Sequence, residues 1–230
     1  MGRVAAGIGR RAPAARIKVR WVRHDQIKGV PGPGMEGPHG APENHRRRGE
    51  LSKARDVGLE ALFNDRLFFS ATNGVDGSEL WTSDGTASGT VMVGDFYAGA
   101  SSASPINFRV VNGILYFSAF TAAGRELWKT NGTFAGTMQV RDINPGSASS
   151  SPVQLVEAES LLIFACNDGA IGQELWRSDG TPAGTVPIGD FFPGSASSNP
   201  FQLANINGTL YFAANNGTEG IELWRSDATS

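Results

Sequence analysis

Glu126-Leu127-Trp128-Lys129-Thr130-Asn131-Gly132-Thr133 is one copy of a phrase that returns along the chain. The other copies are Glu79-Leu80-Trp81-Thr82-Ser83-Asp84-Gly85-Thr86, Glu174-Leu175-Trp176-Arg177-Ser178-Asp179-Gly180-Thr181 and Glu222-Leu223-Trp224-Arg225-Ser226-Asp227. Their tryptophans, Trp81, Trp128, Trp176 and Trp224, lie 47, 48 and 48 residues apart. Unrelated strands and loops would not hold so constant a spacing, so this is a repeat protein.

Outward from the phrase, each unit from Val57 onward reads as four short strands. In the second unit they are approximately Ile106 to Val111, Ile114 to Phe120, Arg125 to Thr130 and Thr137 to Asp142. Asn112-Gly113 separates the first two, and both residues readily take positive φ, as a two-residue hairpin turn requires. Asn64-Asp65 and Asn207-Gly208 repeat that signal, whereas Glu159-Ser160 is a weak copy. Gly-containing loops of variable length follow the second strand, from Asn73 to Gly77, Thr121 to Gly124, Asn167 to Gly172 and Asn215 to Gly220.

The Asp-Gly-Thr-x-x-Gly-Thr segment joins strands three and four. Asp84 and Asp179 can accept backbone N–H groups two residues on, and Gly85, Gly132 and Gly180 supply a backbone conformation that side chains disfavour. Asn131 serves the same acceptor role without charge, which favours a structural turn over a cation site. Gly-Ser-rich linkers then lead to Pro105, Pro152 or Pro200 at the mouth of the next unit.

Alternation within Leu115-Tyr116-Phe117-Ser118-Ala119 puts apolar or small groups on both faces of the strand, and Leu127 and Trp128 likewise face opposite ways. Strands covered on both faces belong to sheets packed between other sheets. The expected fold is therefore all-β, with tandem four-stranded antiparallel units of about 47–48 residues arranged like β-propeller blades, partial or open. An open solenoid or a β-sandwich is the architectural alternative. The units fall at about 57–104, 105–151, 152–199 and an incomplete 200–230.

The phrase resembles the ELWxxDGT repeat found in arrays in large bacterial proteins, mostly surface-associated or secreted. The resemblance covers roughly residues 57 to 230, with Asn131 replacing Asp in the second copy and Ala228 replacing Gly in the fourth. It implies a non-catalytic extracellular module.

Charge divides the chain. Residues 1–55 carry 13 Lys or Arg against 4 acids, and residues 56–230 carry 7 against 18. The basic, Arg-, Pro- and Gly-rich leader is expected to be disordered, although Ile17-Lys18-Val19-Arg20-Trp21 alternates like a strand and would suit the missing last strand of the fourth unit. No signal peptide is visible in it. The acidic repeat body disfavours a nucleic-acid partner. His24, His39 and His45 all lie in the leader, and no apolar run is long enough to cross a membrane as a helix. Cys166, the one cysteine, aligns with Ala71, Ala119 and Ala214 and reads as a small buried position.

Every prominent polar residue, including Glu79, Glu126, Glu174 and Glu222, recurs once per unit, whereas a catalytic site gathers unlike groups in one place. The expectation is a non-catalytic scaffold or binding module for a protein or glycan, with no catalytic or cofactor residues assigned. The alternatives are a carbohydrate-active enzyme built on a propeller, drawing on Asp76, Glu157, Glu159, Asp168 or Glu219, and an adhesion module with weak structural calcium at its acidic turns.

Overall fold

The computed structural model describes residues 60–228. The basic leader and its Ile17–Trp21 segment lie outside them. Among the described residues there are fifteen strands and no helix. The first unit contains β1 (Glu60–Phe63), β2 (Arg66–Thr72), β3 (Ser78–Ser83) and β4 (Val91–Gly94). The second contains β5 (Ile106–Val111), β6 (Ile114–Thr121), β7 (Gly124–Thr130) and β8 (Met138–Arg141). The third contains β9 (Val153–Ala158), β10 (Leu161–Asn167), β11 (Gln173–Ser178) and β12 (Val186–Gly189), and the fourth β13 (Phe201–Ile206), β14 (Thr209–Asn215) and β15 (Ile221–Ser226). Each unit is its own antiparallel sheet with strands in chain order, four in the first three units and three in the last.

The hairpins form where the sequence signals them. Asn64 and Asp65 have φ of 50° and 58°, Asn112 and Gly113 47° and 74°, and Asn207 and Gly208 53° and 82°. Glu159 and Ser160 adopt the same left-handed pair, 51° and 61°, without glycine or asparagine to ease it. Pro105, Pro152 and Pro200 stand immediately before β5, β9 and β13, where no ladder donor is needed. Pro187 sits in β12, which is an edge strand.

Packing between units follows from the two-faced apolar strands. Leu115, Phe117 and Ala119 join Phe63, Phe68 and Leu80 in the core between the first and second sheets. Tyr116 and Leu127 point the other way, into a core with Leu162, Phe164, Cys166 and Trp176 of the third sheet. The third core places Ile163 and Leu175 against Leu210, Phe212 and Ala214. Neighbouring sheets also meet through their first strands, β1 with β5, β5 with β9 and β9 with β13. The architecture is thus all-β and propeller-like, with sheets stacked in sequence order.

Trp128, Trp176 and Trp224 each reach back toward the unit before. Trp128 lies 5.6 Å from Phe96, between centroids, and Trp224 lies 5.5 Å from Phe191. Trp176 packs with Val140 and Ile143. Trp128 and Trp176 are 8% and 3% exposed, whereas Trp81, in the first sheet, is half-buried.

Candidate functional site

The glutamate of the repeated phrase is the most deeply placed charged residue. Glu79, Glu126 and Glu174 are completely buried. Glu126 accepts the Ser150 N–H at 2.8 Å through Oε1, and the Ile143 N–H at 3.0 Å and Ser150 hydroxyl at 2.6 Å through Oε2. Glu174 repeats this with the Ser198 N–H at 2.8 Å, the Phe191 N–H at 3.0 Å and the Ser198 hydroxyl at 2.6 Å. Glu79 accepts the Phe96 and Ala103 N–H groups at 3.0 and 2.9 Å. An ionised carboxylate is acceptor-only, so it matches a site that offers only donors. Burial raises the pKa of all three above the ordinary carboxylate value, while the surrounding donors pull it back down.

Those donors belong to the linkers, which are not slack. Ser150 and Ser198 are buried. The linker is stitched to its own unit by Ser104 N–H to Ser78 C=O at 2.8 Å, and to the following one by Phe120 N–H to Ala103 C=O at 2.7 Å. Asn167 and Asn215 N–H donate likewise to Ser150 and Ser198 C=O, both at 2.9 Å. The sequence reading missed this role for Ser150 and Ser198. Their constant offset of 24 residues from Glu126 and Glu174 carried the signal.

The turn residues named from sequence work locally. Asp84 Oδ1 accepts the Thr86 N–H at 2.9 Å and hydroxyl at 2.8 Å, and Asn131 Oδ1 does the same for Thr133 at 3.0 and 2.8 Å. Asp179 repeats the pattern with Thr181 at 2.8 and 2.7 Å. The Thr86 and Thr181 donors hold the exposed Asp84 and Asp179 carboxyls below the ordinary aspartate range. Gly85, Gly132 and Gly180 have φ of 89°, 96° and 88°, and Ala228 holds the equivalent position at 60° despite its methyl group. Cys166 is fully buried, and burial pushes its thiol well above the ordinary pKa.

A second set of groups does not repeat. A groove of about 290 Å³ runs between the first strands of neighbouring sheets, lined by Glu60, Ala61, Leu62, Phe108, Arg109 and Val110. Arg109 is exposed there. The half-buried Arg125 guanidinium lies over the Phe120 ring and donates to the Ser104 and Ser118 carbonyls at 3.1 Å. Among the described residues, Asp76, Glu157, Glu159, Asp168 and Glu219 are not gathered with other carboxylates, histidine or cysteine into a group of metal-holding size.

No protein-family model matches the chain, and no curated protein matches it either. One solved structure shares its fold at a TM-score above 0.5. A mutant of puromycin hydrolase complexed with PGG is similar over 75% of this chain and 27% of its own, at 15% identity and a TM-score of 0.52. The isopeptidase AtxE2 in its apo form matches over 76% of this chain and 27% of its own, at 15% identity and a TM-score of 0.42. An endo-1,4-beta-xylanase from Bacteroides thetaiotaomicron matches over 74% and 69%, at 12% identity and a TM-score of 0.33. This chain spans only 27% of each of the first two.

The expectation of a non-catalytic scaffold that is not an enzyme is corrected here: the solved structure whose fold this chain shares over 75% of its length is that of a hydrolase. The physical reason lies in the glutamates. Their once-per-unit recurrence reflects their use as fasteners within the fold, so it carries no information about chemistry borne by groups that do not repeat.

Proposed function

We propose that this chain forms the blade array of a hydrolase acting on peptide-like amides, with the groove between β1 and β5 receiving part of the substrate. The observation that carries the reading is the fold shared with puromycin hydrolase across three-quarters of this chain. The extension from fold to activity is by analogy, because one fold can host many chemistries. The groove adds local support, because its lining mixes the apolar Leu62 and Val110 with Glu60 and exposed Arg109. Such a mixture suits a short peptide, whose backbone carbonyls and terminal carboxylate meet the guanidinium while its side chain meets the half-buried Val110.

Calorimetric titration of the full chain with a blocked tripeptide amide, a tripeptide acid and a xylo-oligosaccharide tests this. Saturable binding of the peptides, weakened at least about tenfold by Arg109→Ala, is expected. Binding of the sugar alone, or peptide binding indifferent to Arg109→Ala, overturns the reading.

The ELWxxDGT repeat family and an exported setting belong to the same proposal, supported by the four Glu-Leu-Trp copies. Finding the chain in the cytosolic fraction alone after fractionating the producing cells would remove the exported setting.

A further inference from the structure

Among the described residues the first and last sheets each have one face that no other sheet covers, and those two faces carry the two halves of the contact repeated between consecutive sheets. On the forward side, Leu80, Leu127 and Leu175 are each fully buried by the next sheet, whereas Leu223 at the same position is half-buried. Phe63, Val111 and Ala158 are buried, but their equivalent Ile206 is 55% exposed. Phe68, Tyr116 and Ile163 are buried, but Tyr211 is not. On the backward side of the first sheet, Leu67, Phe69 and Trp81 are half-buried, although Leu115, Phe117 and Trp128 are buried in the second.

Polar groups mark the same vacancy. Lys129 Nζ donates to the Gly180 carbonyl of the next unit at 2.8 Å, and Arg177 Nη1 to the Ala228 carbonyl at 3.2 Å. Arg225 occupies the same repeat position in the fourth sheet and is exposed. The turn glycines give the reciprocal half. A side chain added at Gly132 would come within 3.3 Å of the Phe68 ring, and one at Gly180 within 2.5 Å of the Tyr116 hydroxyl. One added at Gly85 would meet nothing within 4 Å.

We propose that the forward face of the fourth sheet docks the backward face of the first sheet of a second copy of this chain, head to tail. In that contact Leu223 and Ile206 cover Phe69 and Trp81, Tyr211 presses on Gly85, and Arg225 donates to the Gly85 carbonyl. The argument is continuity: the interface repeats the three already present between consecutive sheets. It is heterologous, so successive copies add, into a ring where the rotation closes and into a filament where it does not.

Sedimentation equilibrium of the full chain tests this, with Leu223→Asp spoiling the forward face and Phe69→Asp the backward face. Wild type is expected to associate with rising concentration. Each variant alone is expected to be monomeric, and an equimolar mixture to form a dimer and nothing larger, since one productive contact remains. Circular dichroism checks folding of both variants. If Phe69→Asp does not fold, Gly85→Asn replaces it, because asparagine tolerates left-handed φ and fills the space set aside for Tyr211. A monomeric wild type, a mixture that stays monomeric, or a Phe69→Asp or Gly85→Asn variant that still dimerises alone overturns the proposal.

Discussion

Trp128 shows how one side chain joins two units. It leaves β7 on the face opposite Leu127 and fills the space beside Phe96 and Phe117. Truncating a buried aromatic of this size loses its transfer free energy and leaves a void, together about 3–5 kcal/mol. Trp128→Ala should therefore lower the urea midpoint sharply. Trp81→Ala, at a half-buried copy with no sheet before it among the described residues, should lower it much less, and equal losses would contradict the inter-unit role.

At Glu126 the sign of the pH effect is set by burial. Its carboxyl titrates above its ordinary 4.5 in the folded protein. The native state therefore holds the proton more tightly than the unfolded chain, and ionisation works against folding. That contribution is absent below the unfolded value, grows as pH rises through the interval up to the native pKa, and is complete above it. Urea midpoints across this interval should fall with rising pH in wild type and less steeply in Glu126→Gln. At neutral pH Glu126→Gln should still be destabilised by about 1–3 kcal/mol, because the amide NH₂ confronts the donors that the carboxylate accepts. A variant matching wild type at both ends of the interval would show that the carboxylate is not needed.

Turns and linkers account for how the strands are spaced and joined. The Glu159-Ser160 turn holds two β-carbon-bearing residues in left-handed conformations, each at a cost of roughly 1–2 kcal/mol. Replacing them with Asn-Gly, as at 112–113, should stabilise the fold by about 1 kcal/mol or more, read as a higher melting temperature. No gain would mean that the third hairpin is held by its neighbours whatever its turn prefers. Strand order, hairpin positions and two-sided burial were legible in the sequence, because alternation and turn chemistry are local. The linkers were not. Gly-Ser-rich composition suggests looseness, and only the distant carboxylates of Glu126 and Glu174 explain why Ser150 and Ser198 are buried. The groove at Arg109 was equally hidden, since it arises between β1 and β5, more than forty residues apart in the chain.

Across the whole molecule, stability should vary with position in the stack. Residues of β6 and β10 are packed on both faces, whereas β2 and β14 have one poorly covered face. In a stack where each unit contacts only its neighbours, opening free energy follows that coverage. Amide hydrogen exchange should be slowest in β6 and β10, intermediate in β2 and β14 and fastest in the edge strands β4, β8 and β12. Uniform protection throughout would instead indicate a ring already closed on itself. Repetition describes how sheets hold one another and leaves the unrepeated groups of the groove outside its reach.

The carboxylate fasteners also bear on biosynthesis. Glu79 waits for Phe96 and Ala103, 17 and 24 residues downstream, before its oxygens are satisfied. Glu126 and Glu174 wait over the same intervals. Each of the first three sheets can therefore lock only after its trailing linker has emerged from the ribosome, and that linker at once offers its carbonyl to the sheet coming next. Assembly during translation is expected to advance stepwise from the amino-terminal unit, one latch at a time.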